Sequence, residues 1–209
     1  MISSRLGFRE RRYLALGGAA SPAMQAARRL LGLGAVMHIA SADALAPELE
    51  ACRIGARAQP DAAELARGLG GMRLHGAVIA AASGGPMGLL DGDAAEWEDA
   101  MARGFLAPLR LVRGLLAGGG LAAGASLVFC LADEAAGDLA AAAASAALQQ
   151  AFFHGRRELL QAGVRVNFLA GADLESGPVL FLLSDASRWM TGSLMVADQG
   201  RGLRKVPLS

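Results

Sequence analysis

Residues Ser126 to Leu159 read SLVFCLADEAAGDLAAAAASAALQQAFFHGRREL, and this stretch decides the fold. The run Ser126 to Leu131 is short and apolar and ends in the polar pair Asp133 and Glu134, the pattern of a central parallel strand whose carboxyl end opens into a loop. Asp138 is placed to cap a helix beginning at Leu139. From Leu139 to Gln161 a run of alanines gives the best helix propensity available. Its small side chains let a neighbouring helix approach closely, with Ala144 the position expected to meet a partner.

Outward from this unit, strand and helix patterns alternate. Tyr13 to Leu16 is a short apolar strand. In the adjoining GGAASPAMQAARRLLGLG, Pro22 suits a first helical turn and Gly32 and Gly34 end the helix. Ala35 to Ala40 reads as a second strand, with a stunted helix at Pro47, a short third strand over Cys52 to Ala56 and a helix over Asp61 to Leu69. Leu74 to Ala82 is a fourth strand. Asp93 to Leu116 is a long amphipathic helix with Trp97, Met101, Phe105, Leu109 and Val112 at helical spacing, and Gly104 with Pro108 a turn later predicts a kink in it. Gly114 to Gly124 reads as a glycine-rich surface loop. The alternation implies an α/β fold with a Rossmann-like doubly wound parallel sheet in three α/β/α layers. It forms one domain over residues 1–209 with a charged, solvated tail at 1–11.

Composition narrows the function. At 209 residues, 54% hydrophobic and 19% charged, the chain can bury a layered core, and a net charge of +1 gives no reason to expect nucleic acid. Arg9, Arg11 and Arg12 are too few for a phosphate-tracking stripe. No apolar run reaches membrane-spanning length and the charged start does not suit a signal peptide, so no membrane partner and a cytoplasmic location are expected. The two cysteines, Cys52 and Cys130, sit far apart in apolar contexts and read as packing residues. His38 reads as a core or edge histidine, since His75 and His154 make no metal spacing with it; no metal site is expected.

The order strand, loop, helix AAAASAALQQAFFHGRREL, then GVRVNFLAG, resembles the core of the short-chain dehydrogenase/reductase family, whose helix carries Tyr-x-x-x-Lys. Ser145-Ala146-Ala147-Leu148 falls where Lys-Ala-Ala-Leu is usual, and Val164-Arg165-Val166-Asn167 on the Ile-Arg-Val-Asn strand. The terminus Ser184-Asp185-Ala186-Ser187, Thr191-Gly192 and Val196 to Gly200 is similar to the family's Ser-Asp-x-Ser and Thr-Gly blocks, the most specific match in the chain. The resemblance then implies that the catalytic positions are Ala141 for tyrosine, Ser145 for lysine, Ala132 for serine and, in the long helix, Gly104 for asparagine. In the nucleotide turn Gly18 matches the first glycine, while Gly17 replaces threonine, Pro22 the second glycine and Met24 the third. Ala40, Ser41 and Ala42 stand where a ribose-selecting residue belongs, with Asp43 slightly late. AAASGGP at 80–86 replaces Asn-Asn-Ala-Gly, and the substrate lid after the sixth strand is missing.

The loss of chemistry does not depend on register. Tyr13, Lys205 and Asn167 are the only tyrosine, lysine and asparagine, so no alignment supplies the acid that protonates a carbonyl, the cation that lowers its pKa and the third catalytic group together. The expected function is a catalytically silent subunit that pairs with an active homologue, or with itself, through the helices at 93–116 and 139–161 and the C-terminal strand. NAD or NADP would be held by the partner and no cofactor by this chain. Such an assembly would be similar to the two-subunit dehydrogenase of anaerobic toluene degradation that acts on a benzylsuccinyl-CoA derivative. A small-molecule or acyl-group binding module, with its pocket near Ser83 and Asp133, is a second reading. An enzyme rebuilt around Asp133, Glu134 or Asp173 is a third. Ser83 with glycines after it reads as a strand-to-loop turn rather than a nucleophile elbow.

Overall fold

The computed structural model describes residues 7–57, 60–81, 84–90, 92–132, 137–171 and 176–198. Seven parallel strands form one sheet in the order β3-β2-β1-β4-β5-β6-β7. They are β1 Arg12–Leu16, β2 Val36–Ala40, β3 Arg53–Gly55, β4 Leu74–Ala80, β5 Leu121–Cys130, β6 Val164–Ala170 and β7 Leu194–Val196. The expected doubly wound, three-layer α/β fold is what the chain adopts. Side chains alternate along each strand and so feed two cores. Tyr13, Ala15, Met37, Ile39, Val78, Val128 and Leu169 meet α1 (Pro22–Gly32), α2 (Pro47–Glu50) and α7 (Ser176–Leu183). Leu14, Leu16, Ala77, Ile79, Leu127, Phe129, Val166 and Phe168 meet α3 (Ala62–Leu69), α5 (Ala107–Ala117) and α6 (Leu139–Gln161), with Phe129 stacked on both Phe152 and Phe168.

Local chemistry sets the helix starts. Ser21, Asp61 and Asp138 cap α1, α3 and α6 by accepting from Met24, Glu64 and Ala141 N–H groups, and Asp93 with Glu96 closes a capping box on α4 (Ala94–Met101). The long helix expected from Asp93 is one continuous rod with a π-helical turn, Ala102–Leu106, between α4 and α5. This π-helical turn includes Gly104, the position where the sequence predicts a kink. Among the described residues no helix is long and apolar enough to cross a membrane.

Three expectations change. The N-terminal segment is not a solvated tail from residue 7 onward. Phe8 is buried edge-on to Tyr13, Glu10 N–H bonds Gly34 O, and Arg11 makes a bidentate pair with Asp185, 174 residues away. The glycine-rich stretch is not a loop throughout: α5 runs to Ala117 and β5 starts at Leu121, leaving only Gly118 to Gly120 as a turn, with Gly119 at φ 64°. The early half of β5 has no clear strand pattern because its register on β4 slips, Leu74 facing Leu121 but Gly76 facing Ser126, so its residues lack the continuous burial of a central strand. Ala144 does not look outward. It is fully buried, and a Cβ added at Gly104 would lie 2.6 Å from its own, so the close helix approach joins α6 to the π-turn within the chain.

The buried polar groups of β6 hold the C-terminal part. Arg165 donates to Ser184 O, Ser187 O and Ser187 Oγ. Asn167 bonds Met190 O and Ser193 N–H, and Ser126 Oγ donates to Leu182 O. The polar blocks of the C-terminus thus lock α7 and β7 onto the sheet. Because β6 ends at Ala170 and α7 begins at Ser176, the chain has no length there for a lid.

Candidate functional site

The strand order reverses between β1 and β4, so their carboxyl ends open the crevice where doubly wound sheets bind ligands. Two corners of this edge carry the positions that the sequence pattern marks.

At the first corner lie the four positions that the sequence resemblance assigns to catalysis. Ala132 lies just past β5, Ala141 and Ser145 lie one turn apart in α6, and Gly104 sits in the π-turn against Ala144. Ser145 is buried, and its hydroxyl accepts from Ala132 N–H at 3.3 Å, so the lysine position holds the serine position's backbone. Ala141 is buried and presents a methyl group. Asp138 fastens the loop after β4 over the start of α6: one carboxylate oxygen accepts from Gly84 N–H at 2.8 Å, the other from Ala141 N–H at 2.9 Å. Met87 completes the strap, its N–H bonding Gly137 O and its carbonyl accepting from Leu139 N–H. The strap has no signal in the sequence beyond the cap itself.

A cavity of about 210 Å³ lies between this strap, α4 and α6, lined by Gly84, Gly85, Met87, Glu96, Asp99, Ala100, Arg103, Asp138 and Ala141. Its charges are committed to structure: Asp99 pairs with Arg103 at 2.8 Å, Glu96 belongs to the capping box and Asp138 to the strap. The sole tyrosine cannot serve from elsewhere. Tyr13 is fully buried in the core on the α1 and α7 side of β1, and burial pushes its phenol pKa up. Ser83, Asp133, Glu134 and Asp173 lie outside the described residues.

The second corner is the β1–α1 turn, where a dinucleotide would rest its pyrophosphate. Gly17 has φ 152°, and a Cβ there would lie 2.6 Å from Ser21 Oγ and 2.9 Å from the Ala80 Cβ, so the family's threonine has no room. Pro22 opens α1 and has no N–H. The Met24 side chain does not enter the turn; it is buried in the core with Ala15, Val78 and Leu182, so its bulk falls beneath the helix and not on a ligand. Asp43, slightly late for a ribose selector, does reach the site: its carboxylate accepts from Ala19 N–H at 2.7 Å. Ser21 N–H bonds Gly18 O, and Met24 N–H bonds Ser21. A turn whose donors at 19, 21 and 24 are used internally, and which carries a carboxylate, does not fit a pyrophosphate.

Elsewhere the titratable groups are structural. Cys52 and Cys130 are free thiols, the latter pushed up to about 12 by complete burial. His38 is buried, and its pKa is lowered by burial and then by Arg12. His75 Nδ1 accepts from Arg12 N–H. No cluster of metal-ligating side chains occurs among the described residues.

No family model matches the sequence, and no curated protein sequence does. Solved structures match it over nearly its whole length. A promiscuous reductase, LugOII, that catalyses a keto-reduction in lugdunomycin biosynthesis superposes with a TM-score of 0.78 at 23% identity, covering 94% of this chain and 99% of that one. A short-chain dehydrogenase from Mycobacterium smegmatis gives 0.74 at 21%, covering 91% and 92%. RhlG from Pseudomonas aeruginosa, in an active-site complex with NADP, gives 0.81 at 21%, covering 94% and 98%. The chain therefore has the Rossmann-like fold of the short-chain dehydrogenases and reductases.

Proposed function

We propose that this chain is a cytoplasmic, catalytically silent member of the short-chain dehydrogenase/reductase family, acting as the non-catalytic subunit of a heteromeric oxidoreductase whose active partner binds NAD or NADP. One observation carries the reading. The four positions that the resemblance assigns to catalysis, Gly104, Ala132, Ala141 and Ser145, carry two methyl groups, a glycine pressed on Ala144 and a serine bonded to backbone. Proton transfer to a carbonyl needs a group of matched pKa within reach, and none of these side chains supplies one. What remains of the fold is its surface. Trp189, Val196 and Leu194 are 84%, 61% and 42% exposed, the last two on β7, the end strand of the sheet among the described residues, and Leu160 of α6 is 58% exposed. These support an assembly through the C-terminal strand and α6.

Native mass spectrometry of the complex from its source cell, with dinucleotide oxidation and reduction assays on the isolated chain, tests the proposal. A defined assembly with a homologue that keeps Tyr-x-x-x-Lys is the expected result. Turnover by the isolated chain, or a well-behaved monomer at micromolar concentration with the homologue present, overturns it. The cavity at the strap favours a second reading, a small-molecule binding module, for which a ligand-dependent rise in melting temperature of the lone chain is the signature.

A further inference from the structure

We infer that Asp43 is an internal ligand of the β1–α1 turn, which keeps anions, and with them a dinucleotide pyrophosphate, out of the crevice. The N-terminus of α1 carries partial positive charge and has no acidic residue in its first turn. The turn just ahead of it instead takes a carboxylate from the loop after β2. Asp43 Oδ2 accepts from Ala19 N–H at 2.7 Å, and a Cβ at Gly18 would sit 3.0 Å from the same oxygen, so the glycine that would admit a phosphate admits the carboxylate instead.

The loop is built to hold this arrangement. Asp43 N–H donates to Ser41 Oγ at 3.2 Å. Arg53 of β3 reaches the Ser41 and Asp43 carbonyls, both at 2.5 Å. The Arg53 charge is engaged by Glu50 through two bonds of 2.7 and 2.8 Å, so its guanidinium braces the loop while its carboxylate partner is not Asp43. An incoming phosphate would meet a like charge at the donor it needs. The residue that turns the pyrophosphate away stands just beyond Ala40, Ser41 and Ala42, the positions of a ribose ligand.

The inference rests on reading the crevice as a former dinucleotide site, but its test is separate from that of catalysis. Asp43→Asn keeps an acceptor for Ala19 N–H and removes the charge. Calorimetric titration with ADP, and with sodium sulfate as a bare anion, compares the variant with wild type at low and high salt. The expected result is at least about tenfold tighter ADP binding by Asp43→Asn, a gain that shrinks as salt rises, as removal of a nearby like charge requires. Equal affinities would overturn the inference by showing that Pro22 and the used donors suffice. Binding of ADP by wild type that Asp43→Asn loses would overturn it too, by making the carboxylate a ribose ligand. Neither result bears on turnover. A melting curve confirms that the variant is folded, as the exposed position of Asp43 leads one to expect.

Discussion

Gly104→Ala separates helix propensity from packing at the catalytic corner. In an open helix the change is favourable by about 1 kcal/mol. Here the added Cβ would lie 2.6 Å from Ala144 Cβ, where ordinary carbon contacts need about 3.5–4.0 Å, so the π-turn and α6 must separate by roughly an ångström. Overpacking of this kind costs about 1–3 kcal/mol, and the upper part of that range applies because the obstacle is a Cβ and not a flexible side-chain tip. The net expectation is a loss of about 1–2 kcal/mol, or a melting temperature lower by about 2–8 °C. Ala144→Gly alone should cost about 1 kcal/mol as a helix-interior glycine. The double variant moves one methyl group from one side of the contact to the other. It should therefore recover to within about 1 kcal/mol of wild type, where additivity would put it about 2–3 kcal/mol down. Urea unfolding of the four proteins measures this. Stabilisation by Gly104→Ala, or strict additivity in the cycle, would refute the reasoning, and with it the claim that Gly104 is pressed on Ala144.

Three further outcomes are expected. His38 and His75 have pKa values below the ordinary 6.5, chiefly through burial, so the folded state resists their protonation; stability is fully present above pH 6.5 and falls as pH drops below it. Asp185, held low mainly by its hydrogen bonds to Arg11, acts in the same direction further down, below its ordinary 3.8. A melting temperature that is flat or rising from pH 7 to 5.5 contradicts this, and His38→Leu should shallow the slope. Arg165→Met removes the guanidinium's bonds to Ser184 O, Ser187 O and Ser187 Oγ, while the two carbonyls keep Ser187 N–H and Met190 N–H as donors, and should cost about 1–3 kcal/mol, so unchanged unfolding would show that these bonds are dispensable. Restoring the pair, Ala141→Tyr with Ser145→Lys, should give no cofactor-dependent turnover. The lysine displaces the hydroxyl bonded to Ala132 N–H, and the turn does not seat the cofactor; clear activity in a dinucleotide assay would mean the site is otherwise intact.

The sheet is legible in the sequence because its signals are local. Apolar runs such as Leu127 to Leu131 and the cap Asp138 act over a few residues and sit where the pattern places them, and the helices expected to begin at Asp61 and Asp93 use those residues as N-caps. The missing catalytic groups are legible for a still simpler reason, since a chain with one tyrosine and one lysine leaves little to assign. Contacts made by one group across the chain are not legible. Asp43 meets Ala19 across 24 residues from a loop whose carbonyls Arg53 holds, and Asp138 meets Gly84 across 54 residues. Met24 reads as an obstruction because a sequence position does not say which way a side chain turns, and here it turns into the core. The half-buried upper stripe of Trp97, Met101 and Phe105 belongs to a helix whose first part buries no residue completely, which pattern alone cannot distinguish from a core face.

The Arg11–Asp185 clamp also sets a schedule for the nascent chain. Its two halves are 174 residues apart, and at translation rates of about 5–20 residues per second the carboxylate is made roughly 9–35 s after the guanidinium. Throughout that interval Arg11 has no Asp185 to close on. The central strand β1 and the Phe8–Tyr13 ring pair are synthesised well before α7, which with α1 and α2 covers their face of the sheet. The clamp therefore marks a point in synthesis: it can form only once Asp185 has been made, and a ribosome that stalls before α7 leaves a sheet face covered by α1 and α2 alone.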